Sequence, residues 1–472
     1  MTTEKQINYI HMKKLYTLLV LLFAFTFAQA QNDIKARLEF EEAEKAYTEE
    51  NYETALKHLN QTEKELGQWT PNVSYLKIEC LYALTDMGNF GAPTMQPLYE
   101  EVTKYMAHFN KLNSDDIPME KYKVVYGIEK TLKALKFDER QSAEFLKAKT
   151  AHDAKNYDIA TPLYQKLAQK GNSWAMRNLG LLYAQQKKDT AKAKEWYQKA
   201  TDNGNAEAAV ELANIDRNNT RKWFEKAAKM EHPHGVYVIG LFAENEDNNL
   251  TKAMEYYRQA RDLGSAAGLH KTGKVYEDKE EYDKAFPYYK KAAIKGHWDA
   301  MVRSGALNFY GLGTAKNEQI AMEYWLKAAT ENRTIEAMYY IGRAYEKKKN
   351  YAKAEEWYLK AGAINPNYYS LLGEMYSLSD NDIPQKALEY YEKAAENGHK
   401  GSTLETANIY FSGKGGITKN YAKAAMYYEK YYDKVKKNES YIDNLIEMYN
   451  RGGNGIEKDK DKAKKWKAIR RK

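Results

Sequence analysis

The chain has 472 residues, of which 43% are apolar and 29% are charged, and its formal net charge is +8. These values are typical of a protein that can bury a core. With only nine prolines and 27 glycines, they exclude a collagen-like chain and a proline-rich disordered chain. Tyrosine is unusually frequent, at 41 residues. A helical repeat that packs through tyrosine would account for this excess.

Residues 1–30 have the pattern of a signal peptide. Two lysines directly follow Met12, which offers a second start site, and an apolar run over residues 15–28 comes next. An A-x-A sequence, of the kind that signal peptidase reads, ends at Ala30. The apolar run is short for a membrane span, although an uncleaved membrane anchor is the alternative. We therefore expect export to the periplasm or the extracellular space, with no transmembrane span after cleavage.

Basic residues are concentrated at the C-terminus. Residues 458–472 contain nine lysines and arginines and two aspartates, and the rest of the mature chain is close to neutral. A nucleic-acid-binding protein usually spreads its basic residues along a fold. We therefore expect no nucleic-acid partner. The basic tail favours at most a weak contact with an anionic surface.

An internal repeat dominates residues 141–472. Neighbouring aromatic residues recur with a period of about 33 residues, and most of these pairs have alanine close before and after them. A second column, glycine followed three residues later by tyrosine, lies upstream of several of these pairs. Two helices per repeat, each with a small residue and an aromatic residue on one face, explain both columns. The aromatic pairs are Trp196-Tyr197, Trp223-Phe224, Tyr256-Tyr257, Tyr288-Tyr289, Tyr324-Trp325, Trp357-Tyr358, Tyr390-Tyr391 and Tyr427-Tyr428.

The small residues let helix backbones approach closely, and the aromatic residues fill the space between successive helix pairs. We interpret these recurring aromatic residues, which form a tyrosine stripe along the helices, as core packing. Truncating Tyr358 or Trp196 to alanine is then expected to cost about 3–5 kcal/mol. The repeat between residues 205 and 230 is shorter and lacks the glycine–tyrosine pair, with Ile215 in place of tyrosine.

These columns resemble the tetratricopeptide repeat. The matching residues are Gly273, Tyr276, Tyr282, Ala285, Tyr289 and Ala292, and again Gly342, Tyr345, Tyr351, Ala354, Tyr358 and Ala361. Other repeats are similar to the related Sel-1-like repeat because a Gly-x-Gly loop separates their helices, as at 311–313, 413–415 and 453–455.

The resemblance identifies the chain as an exported bacterial member of this family. It implies an all-α, right-handed superhelical solenoid of antiparallel helix pairs, with about nine to ten repeats over residues 141–472. Residues 31–140 are expected to form an irregular helical region with one degenerate tetratricopeptide-like unit.

The chemistry that the sequence can hold is limited. It contains no Walker loop, no H-E-x-x-H and no G-x-S-x-G motif. The lone Cys80 permits neither an intramolecular disulfide nor a cysteine-based zinc site. His232, His297 and His399 follow a second helix at the same offset, so we interpret them as one column of an inter-repeat turn. We expect no catalytic residue, metal or cofactor.

Two functions are compatible with this pattern. The first is an exported interaction scaffold that binds a protein or peptide in the concave groove of the solenoid. The alternative is an envelope-acting enzyme related to penicillin or peptidoglycan, by analogy with cysteine-rich Sel-1-like proteins. That analogy reaches this chain only through the repeat pattern, so we favour the scaffold and expect no enzymatic activity.

The register of the repeats predicts which residues face the groove. In such a solenoid the first helix of each pair lines the concave face. Positions three before and one after the small residue of that helix point away from the stack. The partner-binding residues expected on this basis are Arg177, Tyr237, His270, Lys274, Tyr339, Arg343 and Glu374, with Leu181, Leu241 and Ser370 in the same register.

Overall fold

A computed structural model describes residues 31–112, 117–186, 188–378, 381–435 and 440–470. The predicted signal peptide lies outside these residues. The chain divides into two compact units between Ala300 and Met301. The described residues are helical apart from turns, loops and one isolated bridge between Gly453 and Ile456. The expected all-α class is therefore confirmed.

The first unit begins with five helices and continues into helix pairs. Its expected division after residue 140 lies inside this single compact unit. The helices are α1 (31–48), α2 (Tyr52–Leu66), α3 (Pro71–Leu84), α4 (Met95–Phe109), α5 (Met119–Ala134), α6 (Ala143–Asp153), α7 (Tyr157–Gln169), α8 (Ser173–Gln185), α9 (Thr190–Asp202), α10 (Ala206–Ile215), α11 (Thr220–Lys229), α12 (Pro233–Asn245), α13 (Leu250–Asp262), α14 (Ala266–Glu277) and α15 (Tyr282–Ile294), with a 3-10 turn at Phe137–Arg140.

The second unit consists of further helix pairs, and most of α16 belongs to it. Its helices are α16 (Trp298–Tyr310), α17 (Glu318–Glu331), α18 (Ile335–Lys347), α19 (Tyr351–Ile364), α20 (Tyr369–Met375), α21 (Pro384–Glu396), α22 (Lys400–Ser412), α23 (Tyr421–Val435), α24 (Tyr441–Arg451) and α25 (Lys460–Arg470). In both units the helices of a pair pack most extensively on each other and then on the next pair. This is the arrangement of a helical solenoid.

Several turns between repeats begin the first helix of a pair with a side-chain cap. The predicted histidine column occupies this position. The ring nitrogen Nδ1 accepts a hydrogen bond from the backbone N–H three residues later, at 3.2 Å for His232, 3.3 Å for His297 and 3.2 Å for His399. Such caps satisfy a helix N–H group that has no partner within the helix. Before His399 the chain turns through Gly398 at φ 95°, a conformation that suits glycine.

Six of the described helix pairs are held together by an aromatic ring that packs directly on a glycine. A Cβ added to the glycine of the first helix would lie within 3.0 Å of the aromatic ring from the second helix. The pairs are Gly180 with Tyr197, Gly240 with Tyr257, Gly273 with Tyr289, Gly305 with Trp325, Gly342 with Tyr358 and Gly373 with Tyr391. These rings are buried. The predicted tyrosine stripe is therefore the repeat core.

Two details refine the sequence interpretation. Tyr197 is 1% exposed, whereas Trp196 is only partly buried and lies under the Lys199 ammonium at 4.5 Å. The expected large loss of stability for Trp196→Ala was thus assigned to the wrong residue of the pair. Tyr197, the second aromatic, is the one that faces the glycine. The short repeat has helices of ten residues each, α10 and α11, as the sequence predicts.

A second tyrosine column accounts for more of the tyrosine excess. Each of these tyrosines lies three residues after the glycine that packs on the aromatic ring. A lysine at the third position of the next helix lies over the tyrosine ring. The ammonium nitrogens are 4.7–5.9 Å from the ring centroids, within the range of cation–π attraction. The pairs are Lys192 over Tyr183, Lys284 over Tyr276, Lys353 over Tyr345 and Lys386 over Tyr376.

The loop between α3 and α4 joins the N-terminal helices to the repeats of the same unit. The Asp86 Oδ1 atom accepts a hydrogen bond from the backbone N–H of Ala266 at 3.1 Å. Lys295 Nζ donates to the carbonyl oxygens of Tyr82 and Thr85, at 2.8 and 2.6 Å, at the C-terminal end of α3. Cations are favourable there because of the helix dipole. The N-terminal helices are thus anchored to α14 and α15.

Candidate partner-binding surface

All residues predicted to face a partner lie on first helices of the helix pairs. In the first unit they are Arg177 on α8, Tyr237 on α12, and His270 and Lys274 on α14. In the second unit they are Tyr339 and Arg343 on α18 and Glu374 on α20.

Arg177 is largely committed to neighbouring acids. Its Nη2 atom contacts a carboxylate oxygen of Glu211 and lies 3.6 Å from a carboxylate oxygen of Glu207. Glu207 also pairs with Nε2 of His232 at 2.9 Å. Burial opposes ionisation of Glu207, but the hydrogen bond from His232 and the electrostatic interactions with His232 and Arg177 outweigh it and lower the pKa of Glu207. Arg177 therefore joins α8 to α10, and only part of its guanidinium remains for a ligand.

Two aromatic members of the set take part in packing. The Tyr237 ring lies 5.9 Å from the ring of Tyr257, and burial raises the pKa of its hydroxyl. His270 stacks on His297 with a centroid distance of 4.5 Å. Both rings are half-buried. They offer a partner one edge each rather than a full face.

Lys274 is more accessible than the other members of the set in the first unit. Its side chain is 45% exposed and its ammonium lies 2.5 Å from the Asp278 carboxylate, one helical turn away. Exposed pairs at this spacing are weak. A partner carboxylate can therefore compete with Asp278 for this lysine.

In the second unit the structure brings an aromatic, a basic and an acidic residue together. The Tyr339 ring lies 6.3 Å from the Tyr368 ring, and Arg343 is 48% exposed with its Nη1 atom 2.9 Å from Glu346. Partial burial disfavours the charge of Arg343, but Glu346 outweighs it and raises the pKa of the guanidinium. Glu374, on the next first helix, is exposed at its surface, but desolvation of its carboxylate raises its pKa and the charge of Arg343 opposes this rise. We call Tyr339, Arg343 and Glu374 the α18–α20 patch.

Ser370, in the same predicted register, is 6% exposed. It follows the 3-10 turn Pro366–Tyr368 and begins a helix of only seven residues. This altered start turns the serine into the core, so it does not belong to the patch.

Sequence reasoning missed an acidic column on the first helices. A glutamate lies four residues after the glycine that packs on the aromatic ring, one turn along the same helix face. It accepts a hydrogen bond from the hydroxyl of the buried tyrosine of the second helix, as in Glu244 with Tyr257, Glu277 with Tyr289 at 2.5 Å, and Glu346 with Tyr358 at 2.7 Å. The Gly-x-x-x-Glu spacing is the signal that could have found it.

The C-terminal basic segment forms a packed helix over its described residues. Ala463 and Trp466 of α25 are buried, and Arg470 Nε lies 3.0 Å from Asp443 on α24. The lysines between them are exposed. This helix therefore completes the last repeat and presents its positive charge to solvent.

The described residues contain neither a cluster of metal ligands nor a membrane-spanning helix. Within them, no group of three or more histidine, cysteine, aspartate or glutamate side chains is placed to hold a metal ion. In the same residues, every helix is too short or too polar to cross a membrane.

Two known repeat families match this chain. The Sel1 repeat family matches residues 175–205, 214–232, 240–265, 268–297, 298–332, 368–399, 404–434 and 447–466, and the tetratricopeptide repeat family matches residues 335–368. The chain belongs to the Sel1/tetratricopeptide repeat family. Sel1 and tetratricopeptide repeat proteins serve as scaffolds for protein interactions, using the extended surfaces of their stacked helices.

Curated relatives match this repeat protein over part of their length. One is the ERAD-associated E3 ubiquitin-protein ligase component HRD3 of Candida glabrata, 28% identical over 285 residues, which are 56% of this chain and 32% of the relative. Another is the HRD3B component of Arabidopsis thaliana, 40% identical over 81 residues, which are 16% of this chain and 13% of the relative. The chain thus spans a third or less of the length of these relatives.

Solved structures of Sel1 repeat proteins are also similar. The c5321 antigen of uropathogenic Escherichia coli, which has an SLR fold, aligns with 66% of this chain and 79% of its own, at 21% identity and a TM-score of 0.47. A Sel1 repeat protein of Oxalobacter formigenes aligns with 62% of this chain and 90% of its own, at 19% identity and a TM-score of 0.42.

Proposed function

We propose that this Sel1/tetratricopeptide repeat protein is an exported, non-catalytic scaffold that binds a protein or peptide through the exposed faces of its first helices. The observation that carries the proposal is the α18–α20 patch. An aromatic ring, a guanidinium and a carboxylate lie on neighbouring first helices and remain accessible after the repeats have packed. Tyrosine and arginine contribute strongly to protein interfaces because they combine large contact area with directional hydrogen bonds.

The partner is expected to present both an acidic and a basic group to this patch. Arg343 can exchange its bond with Glu346 for a partner carboxylate, since its side chain is 48% exposed and Glu346 keeps the hydrogen bond from Tyr358. Glu374 is free of a close ion pair among the described residues and can receive a partner lysine or arginine. Lys274 provides a further contact for an acidic segment in the first unit.

The test is a crosslinking pull-down from the native host with a triple variant, Lys274→Glu, Arg343→Glu and Tyr339→Ala. We expect loss of the partner with unchanged helicity and melting temperature. The matched control places the same kinds of substitution on second helices: Arg258→Glu, Lys360→Glu and Trp357→Ala. It should retain the partner. Equal capture by both variants would contradict the proposal, as would unfolding of the triple variant.

Export is part of the proposal and rests on the sequence of residues 12–30. Mass spectrometry of the native protein should find a mature N-terminus at or near Gln31. The compartment is then the periplasm or the extracellular space. Recovery of a soluble cytoplasmic form that still carries residues 12–30 would contradict export.

The exposed lysines of α25 support a weak contact with an anionic surface. Binding of the protein to anionic lipid vesicles should fall steeply as salt is raised from low to physiological concentration, because the charges are exposed and screened. Substituting Lys464, Lys465 and Lys467 by glutamine should abolish it. Binding that is insensitive to salt would argue against this contact.

A further inference from the structure

A cavity of about 260 Å³ lies in the first unit, beside the start of α8. Its walls come from six separate parts of the chain, two of which are Tyr164 of α7 and Glu207 of α10. The loop between α3 and α4 contributes Phe90, the 3-10 turn contributes Arg140, α6 contributes Phe145, and α8 contributes Trp174 and Arg177. Phe90 packs on Trp174 with a centroid distance of 5.3 Å. The cavity thus has aromatic walls and two guanidinium groups.

Hydrogen-bond donors without an acceptor converge on this cavity. Arg140 Nη1, Trp174 Nε1 and Arg177 Nε are buried and have no acceptor among the described residues. They are the only buried side-chain N–H groups of the described chain in this condition, and all three residues line the same cavity. The Tyr164 hydroxyl lies there as well, beside the Asn178 side chain. Buried donors are almost always satisfied in folded proteins, so their convergence points to an acceptor ligand.

Arg140 is the cationic group of this cavity that lacks an ion-pair partner among the described residues. Arg140 stacks on Phe137 and Trp174, at 4.4 and 4.8 Å from the ring centroids, and forms no ion pair with a described residue. Burial and the neighbouring Arg177 lower the pKa of Arg140 to about 10, so it stays charged at neutral pH. The acids around the cavity are already engaged, since Glu207 and Glu211 pair with Arg177 and Asp153 pairs with Lys149.

We propose that this cavity binds a small carboxylic acid with an apolar or aromatic body, its carboxylate held between Arg140 and Arg177. A monoanion balances the one unpaired guanidinium, whereas a dianionic phosphate would add a charge next to Glu207. A carboxylate also suits the planar fork of arginine. The rings of Phe90, Phe145 and Trp174 enclose the apolar body. The inference goes beyond the scaffold role, because the site lies apart from the α18–α20 patch in sequence and chemistry.

The experiment is isothermal titration calorimetry on the full mature chain with phenylacetate. The comparison ligands are its neutral amide, phenylacetamide, and inorganic phosphate. We expect phenylacetate to bind with one site per chain and both comparison ligands to bind at least tenfold more weakly. Arg140→Gln should weaken phenylacetate binding at least tenfold. Arg258→Gln, which removes an exposed arginine from α13, is the matched control and should bind phenylacetate like the unmodified chain.

Thermal melting separates a ligand-binding role of Arg140 from a purely structural one. If Arg140 binds the acid, phenylacetate raises the melting temperature of the unmodified chain but not that of Arg140→Gln. If Arg140 only stacks on the aromatic rings, the substitution lowers the melting temperature and leaves the ligand-induced rise intact. That second result would overturn the proposal.

Three further results would also overturn it. Absence of saturable binding by phenylacetate and by its aliphatic analogue 4-methylpentanoate would leave ordered water as the occupant. Tighter binding of phosphate would exclude the monoanion. Tighter binding of a peptide ending in phenylalanine than of free phenylacetate would assign the cavity to a protein partner. Arg140→Gln leaves the α18–α20 patch unchanged, so failure here is separable from failure of the scaffold proposal, which the triple variant tests.

Discussion

The ring of Tyr358 occupies the space that a side chain at Gly342 would need. A Cβ on Gly342 would lie 2.4 Å from Cε1 of this ring. The ring cannot turn aside freely, because it is fully buried and its hydroxyl donates to Glu346 at 2.7 Å. Glycine at this position is thus required by the tyrosine of the next helix, although helix propensity alone favours alanine.

Gly342→Ala should therefore destabilise the protein by about 1–3 kcal/mol, the usual cost of overpacking a core. The matched control is Gly127→Ala in α5, where nothing lies within 4 Å of the added Cβ. That substitution should stabilise the protein by about 0.5–1 kcal/mol through helix propensity. Urea unfolding measures both. Equal effects of the two substitutions would contradict the fit between Gly342 and Tyr358.

Neighbouring aromatic residues should differ sharply in their effect on stability. Tyr197→Ala removes a ring that is 1% exposed and should cost about 3–5 kcal/mol. Trp196→Ala removes a larger but partly exposed ring and should cost about 1–2 kcal/mol. Chemical denaturation of the two single variants gives the comparison. A larger loss for Trp196→Ala would reverse our assignment of the packing residue.

The thiol of Cys80 should be inert in the folded protein. It is fully buried, and burial raises its pKa to about 12. The reactive thiolate is therefore scarce at neutral pH. We expect no labelling by a thiol reagent under native conditions, complete labelling in denaturant, and a melting temperature that a reductant does not change. A fall of several degrees on reduction would indicate a disulfide-linked dimer.

Acidification below neutral pH should weaken the histidine caps. Burial lowers the pKa of His297 and of His399 below the ordinary value. As the pH falls through about 6.5, the unfolded chain takes up these protons before the native chain does, so the free energy of unfolding decreases. Protonation also converts Nδ1 from an acceptor into a donor, which removes the cap.

Replacing both histidines by asparagine keeps a capping side chain that does not titrate. Between pH 7 and pH 5, the free energy of unfolding of the double variant His297→Asn/His399→Asn should fall less than that of the unmodified protein. The difference should be about 1 kcal/mol for each cap, and the melting temperature should fall less accordingly. An unaltered slope in the double variant would show that the caps do not titrate in this range.

The repeats could be predicted from the sequence because their contacts are local. The period of the aromatic pairs, the glycine three residues before a tyrosine, and the histidines of the turns each recur at a fixed spacing. A helix in such an array packs on its own partner and on the next pair, so neighbours in sequence are neighbours in space. The helix pairs and the shortened repeat at α10 and α11 followed directly from these spacings.

Whether a predicted surface residue is accessible to a partner could not be predicted from the sequence of its own helix. Arg177 and Tyr339 occupy equivalent positions in the register. Arg177 is held by Glu207 and Glu211 of the following repeat, whereas Tyr339 meets other rings and remains half-exposed. The difference lies in the side chains that the next helix supplies, which vary between repeats without changing the spacing.

The cavity at Arg140 was decided by tertiary structure alone. Phe90 lies in an irregular loop, Arg140 in a 3-10 turn and Arg177 in a repeat helix, and no period relates them. The sequence determined which residues build the stack, because a repeated local pattern specifies the packing of neighbouring helices. Only the folded first unit decided that a distant loop would cover the start of α8, since that contact depends on where the N-terminal helices dock and not on any local propensity.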